Sequence, residues 1–413
     1  MRIKINKTNY YEKYILIGLI ILLFQYLIGL KIHIIDYFDE LFTIILLIYY
    51  LFKTKLKINY HDCFFILMLL LIIIFGLISN YFSGLLTEHY VILIDCLAII
   101  KLYIVYFVIY NLTSNINSIN ILHKMYPIAC MYIIMAFCGL ILGYLFDISF
   151  FFKDESSVRY GIRAYSFVAA NAGNFGYLVM GLFLIIQFFG KNNVENKFLK
   201  SICLVLILMT TKGPQILFVC IYMLFTILHA KKIKLFHVII TVMLGLTLGR
   251  YQIVKYFMNV NSARYILLTT SINITKKYFP IGSGFATFGS EMSRRYYSPI
   301  YSMFGIDNIY GLSRQYGVYI TDNYWPMLIA QLGVIGTLCV ASILFKIFKD
   351  INEISGLSIN VKSVLMAIYI TFLIGSLGSA YYNTATGMFC FILIVLVLKS
   401  NYLSRKVEYG EKS

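Results

Sequence analysis

The sequence predicts an all-α polytopic membrane protein, with about twelve transmembrane helices and one large external loop between the ninth and tenth. Three observations predict it. The chain of 413 residues is 60% hydrophobic and 13% charged, where a soluble domain carries about 25% charged residues. The mean hydropathy of +0.81 excludes a cytosolic enzyme, a secreted disulfide scaffold and a disordered chain. Apolar runs approaching the roughly 20 residues that a bilayer requires recur along the sequence.

Twelve such runs have approximate cores at 14–30, 35–52, 62–82, 90–111, 127–146, 171–189, 198–211, 214–229, 235–250, 324–345, 362–381 and 384–399. They divide the chain into helices 1–9 (1–250), an external segment (251–323), and helices 10–12 with a tail (324–413). The net charge of +17 comes from 35 basic and 18 acidic residues. In a membrane protein such an excess first reports orientation and not nucleic acid. The charges alternate with the loops. Arg2, Lys4, Lys7 and Lys13 precede the first run, and Lys53, Lys55 and Lys57 follow the second. Lys124 follows the fourth run, Lys191, Lys197 and Lys200 the sixth, and Lys231, Lys232 and Lys234 the eighth. Lys346, Lys349 and Lys362 flank the tenth and eleventh, and Lys399, Arg405, Lys406 and Lys412 end the chain. The positive-inside rule then places both termini in the cytoplasm. The first run lacks a small-residue cleavage site and reads as an uncleaved anchor.

All eight cysteines (63, 96, 130, 138, 203, 220, 339, 390) fall in or beside apolar runs. They read as small packing residues, with neither a disulfide framework nor zinc spacing. The six histidines are scattered and form no ligand cluster.

Residues 251–323 break the apolar pattern. They hold ten Tyr and five Phe, and this composition predicts short amphipathic helices on the outer surface. With Arg250 at its edge, the segment carries eight basic residues (Arg250, Lys255, Arg264, Lys276, Lys277, Arg294, Arg295, Arg314) against Glu291, Asp307 and Asp322. A cationic, aromatic external surface suits an anionic ligand with sugar-like faces, or else caps the bundle against lipid headgroups. Arg264, Lys276, Arg294, Arg295 and Arg314 are its candidate glycan or phosphate contacts.

Arg159 and Arg163, between the fifth and sixth runs, are four apart and on a helix would share one face. Two guanidiniums so placed suit a diphosphate; the alternative is snorkelling at a helix end. Lys212, in the short Thr210-Thr-Lys-Gly-Pro connection, is a third phosphate candidate or a plain boundary charge. Asp95 and Lys101 are charges inside the fourth run, six apart and on different faces. Asp36, Asp39 and Glu40 form an acidic stripe that could partner the external arginines. Intramembrane charges face a cavity or a partner. Asp322, beside Asn323 where the chain re-enters the membrane, is a candidate general base toward a sugar hydroxyl, or else an N-cap beside an interfacial Trp.

Four segments in order carry a resemblance: Arg163-Ala-Tyr-Ser-Phe-Val-Ala-Ala-Asn-Ala-Gly-Asn-Phe-Gly; Leu208-Met-Thr-Thr-Lys-Gly-Pro; Tyr278-Phe-Pro-Ile-Gly282-Ser-Gly284-Phe-Ala-Thr-Phe288; and Asp322-Asn323-Tyr-Trp-Pro-Met-Leu-Ile-Ala-Gln-Leu-Gly333-Val-Ile-Gly336. Over roughly residues 85–345 the chain resembles the O-antigen polymerase and O-antigen ligase superfamily. The resemblance implies a glycosyltransferase of the C-type membrane fold in the bacterial inner membrane. Such enzymes transfer a glycan from undecaprenyl diphosphate to an acceptor hydroxyl on the periplasmic face, with no cofactor, no essential metal and no nucleic acid. It further implies Arg159, Arg163 and Lys212 on the diphosphate, Asp322 and Asn323 at the reacting centre, and a chain-length regulator and a flippase as partners. In the ligase branch a histidine commonly stands where Asp322 stands here, and residues 251–323 contain none. The expected product is therefore a lengthened O-antigen or capsule polymer. A ligase is the first alternative and a lipid-linked oligosaccharide flippase the second.

Overall fold

A computed structural model describes residues 10–53, 60–85, 88–112, 118–152, 158–159, 161–190, 194–229 and 235–410. The basic residues Arg2, Lys4, Lys7, Lys55, Lys57, Lys191, Lys231, Lys232, Lys234 and Lys412, counted above for orientation, lie outside the described residues.

The described chain is nearly all helical. Its helices are α1 (Tyr10–Gly29), α2 (Phe38–Lys53), α3 (Tyr60–Ser83), α4 (His89–Leu112), α5 (Ser118–Leu145), α6 (Ala172–Phe189), α7 (Val194–Leu208) and α8 (Gly213–Ile227). There follow α9 (Leu235–Ile253), α10 (Ala263–Lys277), α11 (Glu291–Arg295), α12 (Ile300–Met303), α13 (Tyr324–Glu353), α14 (Ile359–Gly375) and α15 (Ala385–Gly410). Each of the twelve apolar runs has most of its length on one helix. Six helices, α1, α3, α4, α5, α6 and α13, are long and apolar enough to cross a membrane, and α8, α14 and part of α15 are shorter apolar helices. The main core is built around α4, α6 and α15, which bury nearly their whole circumference, as interior helices of a bundle must. Helices α3, α5 and α9 leave large apolar side chains such as Leu70, Ile134 and Met243 exposed, as lipid-facing helices do. All eight cysteines are free.

Helix ends meet in two groups. At one end, Tyr106 Oη donates to Asp350 Oδ2 (3.1 Å) and Tyr126 Oη to Asn196 Oδ1 (2.9 Å). There Lys362 Nζ also caps the carbonyls of Asn352 and Ile354 (2.9 and 2.7 Å). At the other end, Tyr165 N donates to Met209 O (2.9 Å), and Tyr324 N to Ser376 O (3.3 Å). The long segment 251–323 belongs to this second group, called here the loop end. It has a small core of its own, with Leu267, Ile274, Phe288, Ile300, Tyr301 and Leu312 buried together. Helix α10 buries Leu267, Thr270, Ser271, Ile274 and Thr275, one face of a helical repeat.

The segment is docked through backbone. Helix α13 is broken at Gly333, whose φ of 60° and ψ of −160° are not helical. The break exposes carbonyls and amides that a continuous helix would pair internally. Ser283 N and Gly284 N donate to Ala330 O and Gln331 O (2.8 Å each), while Val334 N donates to Pro280 O (3.0 Å). The contact lies about 9 Å along α13 from its first residue, at 1.5 Å per residue. A Cβ on Gly282 (φ 81°) would stand 2.6 Å from Gln331 O and 2.7 Å from Ala330 O. Side chains complete the dock. Asn80 exchanges two hydrogen bonds with the Phe285 backbone (2.8 and 2.9 Å), Ser79 Oγ donates to Ile281 O (2.6 Å), and Ala286 N donates to Asp95 Oδ2 (2.6 Å).

Gly282→Ala is expected to cost at least about 2 kcal/mol, from combined φ strain and overpacking. Gly305→Ala (φ 64°, nothing within 4 Å of its Cβ) should cost only about 1 kcal/mol. Thermal unfolding in detergent distinguishes the two; equal losses would deny the docking its role.

Candidate functional site at the loop end

Three charged groups from three parts of the chain converge at the loop end. Lys212 enters through the tight α7–α8 turn. Thr210 Oγ1 bonds back to Ile207 O (2.7 Å), Thr211 takes φ 54°, and Pro214 in the first turn of α8 fits where its missing N–H costs nothing. Arg264 stands in the first turn of α10, which Ser262 caps by accepting Tyr265 N (3.2 Å). Its guanidinium carbon lies 4.7 Å from the Tyr256 ring centroid, a cation–π distance. Asp322 precedes α13, with its amide bonded to Tyr319 O (3.1 Å).

Arg264 Nη2 donates to Asp322 Oδ2 at 3.2 Å, and both side chains keep partial access to solvent. Burial raises the Asp322 carboxyl above the usual carboxylate range, while Arg264 and then Lys212 pull it back down. Asn323 Nδ2 donates to Arg264 O (3.2 Å). Within Arg264, Asp322 and Asn323, two buried polar atoms have no hydrogen-bond partner among the described residues, Arg264 Nε and Asn323 Oδ1. Hydrogen-bonding capacity is therefore left over beside one carboxylate. The N-cap alternative for Asp322 does not hold. The cap position is Asn323, and its side chain makes no cap bond. Trp325 is tied down as well, its Nε1 donating to Ser376 Oγ at the end of α14 (2.8 Å).

The arginines expected to clamp a diphosphate stand differently. Val158–Arg159 and Ile162–Arg163 are two short antiparallel strands, with Arg159 opposite Ile162 and Arg163 opposite Val158. Opposed residues share a face and successive ones alternate, so Arg159 and Arg163 point to opposite faces. The one-face helix is overturned by Gly161, whose φ of 75° turns the chain. Arg163 pairs with Asp147 and lies over the Phe152 ring (4.9 Å).

The other cations are dispersed. Arg294 and Arg295 share Glu291 (Nε distances of 2.8 Å each), and Arg295 also meets Tyr37 Oη. Burial acts to raise the Glu291 carboxyl, but the two arginines outweigh it and hold it below its ordinary value. Lys276 is at the opposite end of α10 from Arg264, about 18 Å along the axis, and is exposed. Arg314 is exposed near Tyr297 and Asp307. The charges inside α4 are bonded to other parts of the chain. Lys101 pairs with Asp39 and with Glu40 (2.5 Å), so the acidic stripe answers α4 and not the external arginines. Asp95 receives the loop backbone at Ala286. Among the described residues no group of three His, Cys, Asp or Glu side chains is placed to hold a metal ion.

No family model matches the chain, and no curated protein matches it.

Lys101→Met should cost about 3–5 kcal/mol, because Asp39 and Glu40 remain buried without their cation. Adding Asp39→Asn and Glu40→Gln should restore much of the loss, as read by melting temperature. For Asp322, carboxyl ¹³C shifts should titrate above the ordinary aspartate range. Removing a cation disfavours the carboxylate, so Arg264→Gln should move the titration to higher pH and Lys212→Gln should move it less.

Proposed function

We propose that the protein is a polysaccharide polymerase, transferring an undecaprenyl-diphosphate-linked glycan to the acceptor sugar of another lipid-linked repeat unit. The observation that carries this reading is the partly buried Arg264–Asp322 pair beside Lys212, with Arg264 Nε and Asn323 Oδ1 unused. The reading includes twelve crossings, with the loop end on the outer face of the bacterial inner membrane and both termini inside. The two groups of helix ends support that count, since they join the ends which charge alternation assigns to a common side.

A diphosphate is a good leaving group, so positioning and cationic stabilisation supply much of what the reaction needs. In this scheme the Arg264–Asp322 pair is the resting state. An arriving diphosphate takes the guanidinium, including its Nε donor, and Lys212 adds a second positive charge. Asp322 then loses its cation, and its affinity for a proton rises. It accepts the proton of the acceptor hydroxyl as the oxygen bonds to the anomeric carbon and the lipid diphosphate departs. Base strength is thereby coupled to donor binding. Asn323 Oδ1 accepts a second hydroxyl and fixes the acceptor's orientation. Arg159 and Arg163, on opposite faces of their hairpin, are left to the approach of the glycan and not to one clamp.

Complementation of a polymerase-deficient host tests the assignment. Asp322→Asn should reduce polymer at least 100-fold with normal protein levels, and Arg264→Gln should do the same. Arg314→Gln should leave polymer amount unchanged. Full polymer from Asp322→Asn would remove the carboxylate from the reaction.

A further inference from the structure

The described chain has a second polar site at the loop end, separate from the Arg264–Asp322 pair. It is a cavity of about 150 Å³ between α1, the turn before α2, the start of α6 and the start of α15. Its polar wall includes Gln25, Asp36, Asn174 and Thr386, and its apolar wall includes Leu22 and Leu178. Gln25 is 93% buried, with 7% of its surface exposed. Its Nε2 is used twice, toward Asp36 O (3.1 Å) and Asp39 Oδ1 (3.2 Å). These two bonds fix the amide so that its Oε1, which has no hydrogen-bond partner, is an acceptor left for an occupant. The Asp36 carboxylate rests against Gly29, where any side chain would displace it.

An engineered cavity of about 150 Å³ takes benzene, so this volume seats one six-membered ring, with the outer substituents of a pyranose lying beyond it. The walls are wrong for benzene and wrong for phosphate. A carboxylate repels an anion, and a buried amide oxygen needs a donor. A pyranose meets each requirement. Its hydroxyls donate to Gln25 Oε1 and Asp36, its ring oxygen or an acetamido carbonyl accepts from Asn174 or Thr386, and its C–H face lies on Leu22 and Leu178.

We infer that this cavity is a subsite for one neutral pyranose residue of the glycan. The inference rests on the polymerase reading for which glycan is bound, but not for the binding itself. The connection that carries Thr386 links the two places. It runs from Ser376, bonded to Tyr324 and Trp325 beside Asp322, past Gly378 against Arg264, to Thr386. The chain segment 376–386 thus touches both places, which suits a subsite for another residue of the same glycan.

The test is saturation-transfer NMR on the full chain in nanodiscs, with methyl glycosides of glucose, galactose and N-acetylglucosamine as probes. At least one probe should receive saturation from the wild-type protein, and inorganic phosphate should not displace it. Gln25→Leu and the space-filling Ala170→Phe should each weaken binding at least tenfold, while Arg314→Gln should leave it unchanged. Ala170 makes none of the Gln25 hydrogen bonds, so it guards against a mere folding defect at Gln25. Saturation transfer to none of the three, equal transfer in both pocket variants, or displacement by phosphate would overturn the subsite. Binding measured this way is independent of turnover. Sugar binding without polymer growth in cells would overturn the polymerase reading and leave the subsite standing. Polymer growth with unaffected pocket variants would do the reverse.

Discussion

The structure hangs on a break in one helix. A membrane-crossing helix satisfies its own backbone groups, and irregular backbone at depth survives only where protein covers it. At Gly333 the α13 ladder opens, and the groups released are taken up by residues 280–284. Each partner pairs backbone groups that the other leaves open. The helix has unpaired carbonyls at Ala330 and Gln331 without the loop, and the loop has unpaired amides at Ser283 and Gly284 without the helix. Asn80 and Asp95 extend the dock to α3 and α4. The position of α10, and with it Arg264, follows from this junction, because α10 leads directly into the docked segment and packs on α13.

This explains why charge inside the bundle need not mean chemistry. Asp95 and Lys101 read in the sequence as intramembrane charges that face a cavity or a partner. One is an acceptor for a loop amide and the other a counter-charge for two acids on α2. The desolvation cost of a buried charge is real, and here it is offset by contacts that tie segment 251–323 to α4 and α4 to α2. The groups proposed to react, Arg264 and Asp322, are instead half-buried at the loop end and keep partial access to solvent.

Much of the architecture was legible in the sequence, and the reasons are physical. Helices were readable because an apolar run of bilayer length has few other conformations available. The site was readable one residue at a time. Asp322, Asn323, Lys212 and Arg264 stand out as polar or charged groups at helix boundaries, but their convergence depends on how α8, α10 and α13 pack, which spacing does not encode. The shared helix face of Arg159 and Arg163 fails for a related reason. A spacing of four implies a shared face only on a helix, and Gly161 between them was the available sign of a turn. The acidic stripe of α2 was visible, yet its partner, Lys101, lies 61 and 62 residues away on another helix.

The central claim, that Asp322 and Arg264 at the loop end carry glycan transfer from a lipid diphosphate, is tested most directly with purified protein and synthetic undecaprenyl-diphosphate-linked repeat. Products are separated by chain length, and released lipid diphosphate is counted. The account predicts lipid-linked glycans that lengthen by whole repeats, with one lipid diphosphate released per linkage, in the absence of added metal or nucleotide sugar. Unchanged repeat, with no new glycosidic bond and no lipid diphosphate released, would contradict it.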